Sequence, residues 1–207
     1  AHDSGFTRLC HGAGPAGLSQ ALILADAGIR VVMIDRAPVN AVRGDNRTAA
    51  LLRPAVDILQ EVSVDPEIFP ATAPLKYLRL IDGADQGSEF QADFSATEIN
   101  EPYFALNILN TDLHTALAAR VMAHDHITVI APCRVTSMDV TDYMVTIETD
   151  RGEVSGMMVV GADGRQSVVR QLAGISIENV DYNQTAITCT ITHTRAHDNR
   201  STEFHRP

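Results

Sequence analysis

Lysine is nearly missing from this chain. Lys76 is the only one, beside Tyr77, and no Tyr-x-x-x-Lys arrangement exists, which argues against a NAD-dependent dehydrogenase built on that hydride-transfer pair. Basic residues are scarce as a class: 16 Lys and Arg stand against 26 Asp and Glu, a formal net charge of −10. Binding a nucleic-acid backbone needs clustered Lys and Arg, so no nucleic-acid partner is expected. Long apolar runs are missing too, and none approaches the roughly 20 residues that span a bilayer. No secretory signal pattern opens the chain, which begins Ala1-His2-Asp3-Ser4, so a cytoplasmic protein is expected. A peripheral contact with the inner membrane, through an apolar patch, stays compatible with this. Cys10, Cys133 and Cys189 are odd in number and form no C-x-x-C pair; free thiols in a reducing compartment are expected. His124 and His126 flank Asp125 without metal-ligand spacing, so no metal is expected.

What remains is an ordinary globular composition, 45% hydrophobic and 20% charged over 207 residues, enough for a real core. Its organising stretch is Gly12-Ala13-Gly14-Pro15-Ala16-Gly17, of the form G-x-G-x-x-G. The first glycine permits a tight turn, the second a close approach of pyrophosphate, and the third close packing of helix on strand. Phosphates then sit at a helix N-terminus, where free N–H groups and the dipole favour anions. Leu18 to Ala27 has helical length, Gly28 suits the residue after the helix, and Ile29 to Ile34 reads as a buried strand closed by Asp35. An acid about 20 residues beyond the loop is placed to accept from a ribose hydroxyl. One feature departs from the pattern. The strand before the loop should be apolar, yet Phe6 to His11 includes Arg8 and His11.

Further along, Asn40 to Asn46 reads as a loop, and Pro54 opens a short amphipathic helix carrying Val56, Ile58, Leu59 and Val62. A proline-rich loop with Pro66, Pro70 and Pro74 follows. Leu75 to Asp82 and Glu89 to Phe94 read as a hairpin around a turn over 83–88. A helix beginning near Thr111, capped by Asn110 or Thr111, presents Leu113, Leu117, Val121 and Met122 on one face. Ile127 to Ile130 is a short strand. A hairpin pairs Arg134 to Val140 with Met144 to Thr149, and Val154 to Gly161 forms one more strand. Tyr182 to His193 alternates Ile187, Cys189 and Ile191, which predicts a half-buried strand.

The second chemical signal is Gly161-Ala162-Asp163-Gly164-Arg165-Gln166-Ser167. An apolar strand ends in a glycine-flanked aspartate, and Ser167 can cap a short helix. Open α/β sheets bind ligands at such strand ends. A helix-capping turn with no ligand is the bland alternative.

With both motifs in view, the chain resembles the N-terminal half of an FAD-dependent aromatic hydroxylase, a class A flavoprotein monooxygenase. Gly12 to Gly17 with Asp35-Arg36 matches that family's FAD fingerprint. Gly161 to Gly164, with Ser167 and Arg170, matches its second motif, which serves both FAD and NAD(P)H. Asp45-x-Arg47, with Ala50-Leu51, and Tyr182 to Ile187 resemble the ubiquinone-biosynthesis branch, the polyprenyl-methoxyphenol hydroxylases.

The resemblance implies an α/β fold: a Rossmann-like FAD-binding domain, made of the G-x-G-x-x-G βαβ unit plus a β-meander, with an incomplete α+β substrate domain. It divides the chain into residues 1–70 and 105–178 for FAD, and 71–104 and 179–207 for substrate, cut short at the C-terminus. The backbone at Gly12, Ala13, Gly14, Ala16 and Gly17 would take the FAD diphosphate. Asp35 would hold the adenosine ribose, with Arg36 beside the adenine. Arg47 would contact the phosphates or ribityl chain, Val135 would pass beside the adenine, and Asp163 with Gly164 would fix the cofactor near its redox end. NAD(P)H would be the reductant, and a hydroperoxide on the flavin C4a carbon would carry oxygen to an aromatic, polyprenylated phenol. No catalytic side chain is nominated. Association with a membrane surface or a biosynthetic complex, and homo-oligomerisation, stay open. A later glycine-aspartate motif of the family is absent, so weak FAD retention is expected, and a non-catalytic FAD-fold module is the competing expectation.

Overall fold

The computed structural model describes residues 7–41, 44–64, 70, 72–83 and 90–205. Phe6, the proline-rich loop around Pro66 and the turn over 84–88 lie outside them.

Strand β1 (Arg8–His11), helix α1 (Pro15–Asp26) and strand β2 (Val31–Ile34) form the expected βαβ unit. β1 and β2 pair in parallel, Arg8 opposite Val31 and His11 opposite Ile34. Gly28, at φ 81°, supplies the left-handed residue that ends α1. β8 (Ile127–Ile130) extends the sheet beyond β2, and β12 (Met158–Gly161) flanks β1 on its other side. β1 is therefore central despite Arg8 and His11.

This sheet is covered on both faces, as parallel sheets are. Cys10, Val31, Met33 and Ile127 pack on one side with Leu18, Leu22 and Ala25 of α1. That side also takes Leu113, Leu117 and Val121 of α3 (Asn110–Met122), and Leu59 of α2 (Arg53–Glu61). Leu9 and Ile34 point the other way, onto Val145, Ile147 and Cys133. That opposite layer is the meander of β9 (Val135–Val140), β10 (Val145–Thr149) and β11 (Gly152–Gly156), antiparallel throughout.

Two smaller sheets complete the fold. β3 (Thr48–Leu52) and β4 (Ala73–Leu75) flank β7 (Ala105–Leu109). β5 (Tyr77–Asp82) pairs with β6 (Phe90–Ser95) as the expected hairpin, and β13 (Arg200–His205) adds in parallel to β5.

Several expectations need correction. The segment 182–193 is no strand: among the described residues nothing pairs with it, and Ile187 is 91% exposed. Leu75 to Asp82 breaks at Lys76, so its two parts join different sheets. Val154 to Gly161 breaks at Met157; β11 closes the meander and β12 joins the parallel sheet. α3 starts one residue early, with Leu109 as its N-cap and no side-chain cap, and Met122 is exposed. β3, β7 and β13 were not expected.

Candidate functional site

β1 and β12 lie side by side and end together, so the two loops that follow them meet. The N–H of Ala162 donates to the carbonyl of His11 at 2.7 Å. Gly12 has φ 110°, and a Cβ there would come within 2.4 Å of the Ala162 carbonyl oxygen. Only glycine lets the two loop backbones press so closely. Gly17 is equally confined: its Cβ would sit 1.8 Å from the Gly12 oxygen, so α1 packs directly on the turn. Gly14 differs. A Cβ there would meet nothing within 4 Å, so that side of the turn faces open space.

The open space is a cleft of about 610 Å³, within the range of small-molecule sites. It is lined by Gly12 and Gly14 from the first loop, Asp35 and Arg36 from the end of β2, and Asp163 and Gly164 from the second loop. Gly14 is the N-cap of α1, carries no side chain to cap it, and is followed by Pro15. The first-turn N–H groups of Ala16 and Gly17 precede the first intrahelical bond, from Leu18 to Gly14. A helix end of this kind favours an anion.

The turn is held from both sides at Ala13, which is buried. Its N–H donates to Oδ2 of Asp35 at 2.6 Å, and its carbonyl lies 3.0 Å from Nε2 of His114 on α3. Asp35 Oδ1 also accepts from the Ala37 N–H at 2.8 Å. Ala13 thus serves as the anchored peptide of the turn. His114 escaped the sequence reading. Its spacing from Leu117, Ala118 and Val121 on the buried face of α3 was the available signal.

Asp163 caps the short helix α4 (Val168–Leu172) together with Ser167. The Ser167 hydroxyl donates to Oδ1, the Val168 N–H donates to Oδ2 at 2.6 Å, and Ser167 Oγ accepts from the Arg170 N–H at 3.0 Å. Burial is the largest influence on Asp163 and raises its pKa. The bonds from Ser167 and Val168 and the nearby charge of His11 outweigh it together, and the carboxyl is held below the ordinary range. His11 Nδ1 lies 3.0 Å from Oδ2 of Asp163, and both side chains are more than nine-tenths buried.

Two expected residues are not brought to the cleft. Arg47 is exposed and paired two-fold with Asp45, through Nε and Nη2 at 2.8 Å each. The bonds from Arg47, then that from Asn110, hold the Asp45 carboxyl well below the carboxylate range. Both line a separate pocket of about 620 Å³ with Thr188, Cys189 and Thr190. Val135 packs at the edge of the meander core and does not line the cleft. The chain leading to it does pass Asp35: the Cys133 N–H donates to the Asp35 carbonyl at 2.7 Å. Among the described residues no cluster of His, Cys, Asp and Glu could hold a metal ion, and no helix is long and apolar enough to cross a membrane.

The chain is similar to known proteins in both sequence and fold. A family model described as FAD binding domain matches residues 9–204. The ubiquinone hydroxylase UbiL of Rhodospirillum rubrum is 31% identical over 201 residues, covering 95% of this chain and 46% of that protein. The 3-demethoxyubiquinol 3-hydroxylase of Escherichia coli is 30% identical, over 85% of this chain and 46% of that protein. The chain thus spans about half the length of these curated relatives. Two solved structures share its fold. One is p-nitrophenol 4-monooxygenase PnpA from Pseudomonas putida, with TM-score 0.70 and 22% identity over 85% of this chain and 46% of that one. The other is the flavin-dependent monooxygenase PieE in complex with FAD and substrate, with TM-score 0.70 and 21% identity over 87% of this chain and 34% of that one.

Proposed function

This chain belongs to the FAD binding domain family, and from that premise we propose that its cleft holds the FAD of an aromatic-ring hydroxylase that uses NAD(P)H as reductant. One observation carries the reading: the glycine turn and the Asp163 loop, far apart in sequence, line one cleft with Asp35 and Arg36.

The residues present fit the cofactor. The open face at Gly14 leaves room for a diphosphate, and the uncapped α1 N-terminus offers the N–H groups of Ala16 and Gly17. Gly12 and Ala13 shape the turn. Asp35 stands at the end of β2, where an acid accepts from a ribose hydroxyl; Arg36 lies beside it for the adenine. Asp163 and Gly164 bound the other end of the cleft. Arg47 and Val135 lie outside that lining, so any contact they make is with parts of the cofactor beyond it. When bound and reduced, the flavin supplies the activation of dioxygen and the delivery of one oxygen atom to the ring. The protein's own share is binding, orientation and exclusion of water.

The two hydroxylase relatives named above, both of ubiquinone chemistry by name, support a ring substrate. A polyprenylated phenol is the substrate class we propose, with peripheral membrane contact as its natural consequence. Residues 1–70 and 105–178 would serve FAD, and 71–104 with 179–207 would serve substrate. The separate β13–β5–β6 sheet, which unites 200–205 with 77–82 and 90–95, supports that division.

The test is titration of the purified chain with FAD, followed by flavin fluorescence and thermal unfolding. Saturable binding is expected, weakened by Gly14→Ala. Unchanged fluorescence and melting temperature at saturating FAD would overturn the cofactor reading. Phenol-stimulated oxidation of NADH or NADPH then separates a hydroxylase from an FAD-binding module without turnover.

A further inference from the structure

Strands buried on both faces of a parallel sheet are near-continuous apolar runs, and His11 breaks that rule. It ends the central strand β1, is 6% exposed, and lines the same cleft as Gly14, Asp35 and Arg36. Its Nδ1 is buried and has no aligned hydrogen bond, yet Oδ2 of Asp163 stands 3.0 Å away. A carboxylate at that distance repels a bare Nδ1 lone pair, so an attraction needs a proton on Nδ1, and an imidazolium strengthens it. The partner is itself immobilised, because Ser167 and Val168 already hold the Asp163 carboxylate in place.

Resting on the cofactor reading above, we infer that His11 is a proton-dependent positioning residue: its imidazolium clasps Asp163, fixes the second loop against the glycine turn, and adds positive charge to a cleft that takes an anionic diphosphate. The surrounding charges make that proton count. From β1 itself, Arg8 lies three residues back and is half-buried. The end of β2 contributes Asp35 and Arg36, and the second loop Asp163 and Arg165. From α4, Arg170 donates to the Arg165 carbonyl at 2.9 Å. His114, from α3, is engaged on the Ala13 carbonyl behind the turn. The side chains lining the cleft offset one another, two acids against two arginines, so a charge on His11 tips the balance positive. Asp163, held below the ordinary carboxylate range, stays ionised wherever histidine titrates.

The sign follows. A ligand that binds better to the protonated form binds more tightly at low pH and loosens as pH rises through the histidine range of about 5 to 8. By reciprocity, FAD raises the affinity of His11 for its proton.

The experiment measures the dissociation constant of FAD from pH 5.5 to 8.5 for the wild type, His11→Gln and His11→Val. It also follows the His11 ring proton by NMR with and without FAD. In the wild type the constant should rise about tenfold across the range, a size typical of one charge-assisted contact. His11→Gln, which keeps a polar ring-sized group without a titrating proton, should bind with intermediate affinity and a flat profile. His11→Val should bind more weakly still, also without slope. FAD should shift the His11 titration upward in the wild type and less in Asp163→Asn. Tight binding with no slope in the wild type, an undiminished slope in His11→Gln, or a His11 titration indifferent to FAD would each overturn the clasp while leaving the cofactor reading intact. No FAD binding at any pH would instead overturn the cofactor reading, and this inference with it.

Discussion

The backbone N–H of Ala13 donates to Oδ2 of Asp35 at 2.6 Å, so the acid that ends β2 grips the glycine turn on the neighbouring strand. The same carboxylate accepts from Ala37 through its other oxygen. Asp35 is 7% exposed, and both N–H groups depend on it. Asp35→Asn replaces one acceptor with an NH₂ and leaves one of them facing a donor. Loss of about 1–3 kcal/mol of stability is expected, together with weakened FAD binding. Urea unfolding checks the first and FAD titration the second. An unfolding midpoint equal to the wild type would mean that the turn does not rely on this carboxylate.

Gly14 and Gly17 make a contrasting pair. Gly17→Ala would drive a methyl into the Gly12 carbonyl, with 1.8 Å available, and a loss of about 3 kcal/mol is expected. Gly14→Ala has open space and an ordinary φ of −77°. Its stability should stay within about 1 kcal/mol of the wild type, while FAD affinity falls because the methyl occupies the approach to the helix N-terminus. Equal effects of both substitutions on folding would contradict the geometry of the turn.

The βαβ unit and the meander were legible because their signals are local: a glycine pattern, apolar runs of fixed length, and hairpin turns. β3 and β7 were not, because each pairs with a strand more than 20 residues away, and Asn107 interrupts the apolar run of β7. β13 is mostly polar, and its partner β5 lies over 100 residues back. Ile187, Cys189 and Ile191 misled in the opposite direction. Alternation signals a strand only if a sheet receives it, and none does among the described residues. At the cleft, Asp35 and Asp163 are the residues named from motif position that the fold brings together, while His114 was hidden on a helix face that reads as plain core. His11 was noticed as an anomaly, but its reason, a partner 152 residues away, could only come from the fold.

Acid should weaken this protein partly through Asp163. Its folded pKa lies below the ordinary value, so its stabilising effect is complete above about pH 4, where an unfolded aspartate is ionised. The effect is lost as pH falls through the folded value. Asp163→Asn removes this component, so the variant should lose less stability between pH 7 and pH 3 than the wild type does. Ser167→Ala should act in the same sense but less, since Val168 still donates to the carboxylate. It should also cost about 1 kcal/mol at neutral pH through the lost helix cap. Parallel stability curves for the three proteins would refute the assignment.

Cys10 offers a chemical check on the packing beneath the glycine turn. Its thiol is fully buried, points at the Gly17 carbonyl at 3.4 Å, and burial pushes its pKa up to about 12. The thiolate is the reactive form, so at pH 8 roughly one molecule in ten thousand would carry it. Cys133 is buried in the opposite core layer, and Cys189 is exposed. An aromatic disulfide reagent should therefore titrate one thiol per native chain quickly and three after denaturation. Gly17→Ala, which forces α1 away from β1, should bring Cys10 into the fast class if the variant stays folded. A second fast thiol in the wild type would show instead that α1 does not seal β1 as described.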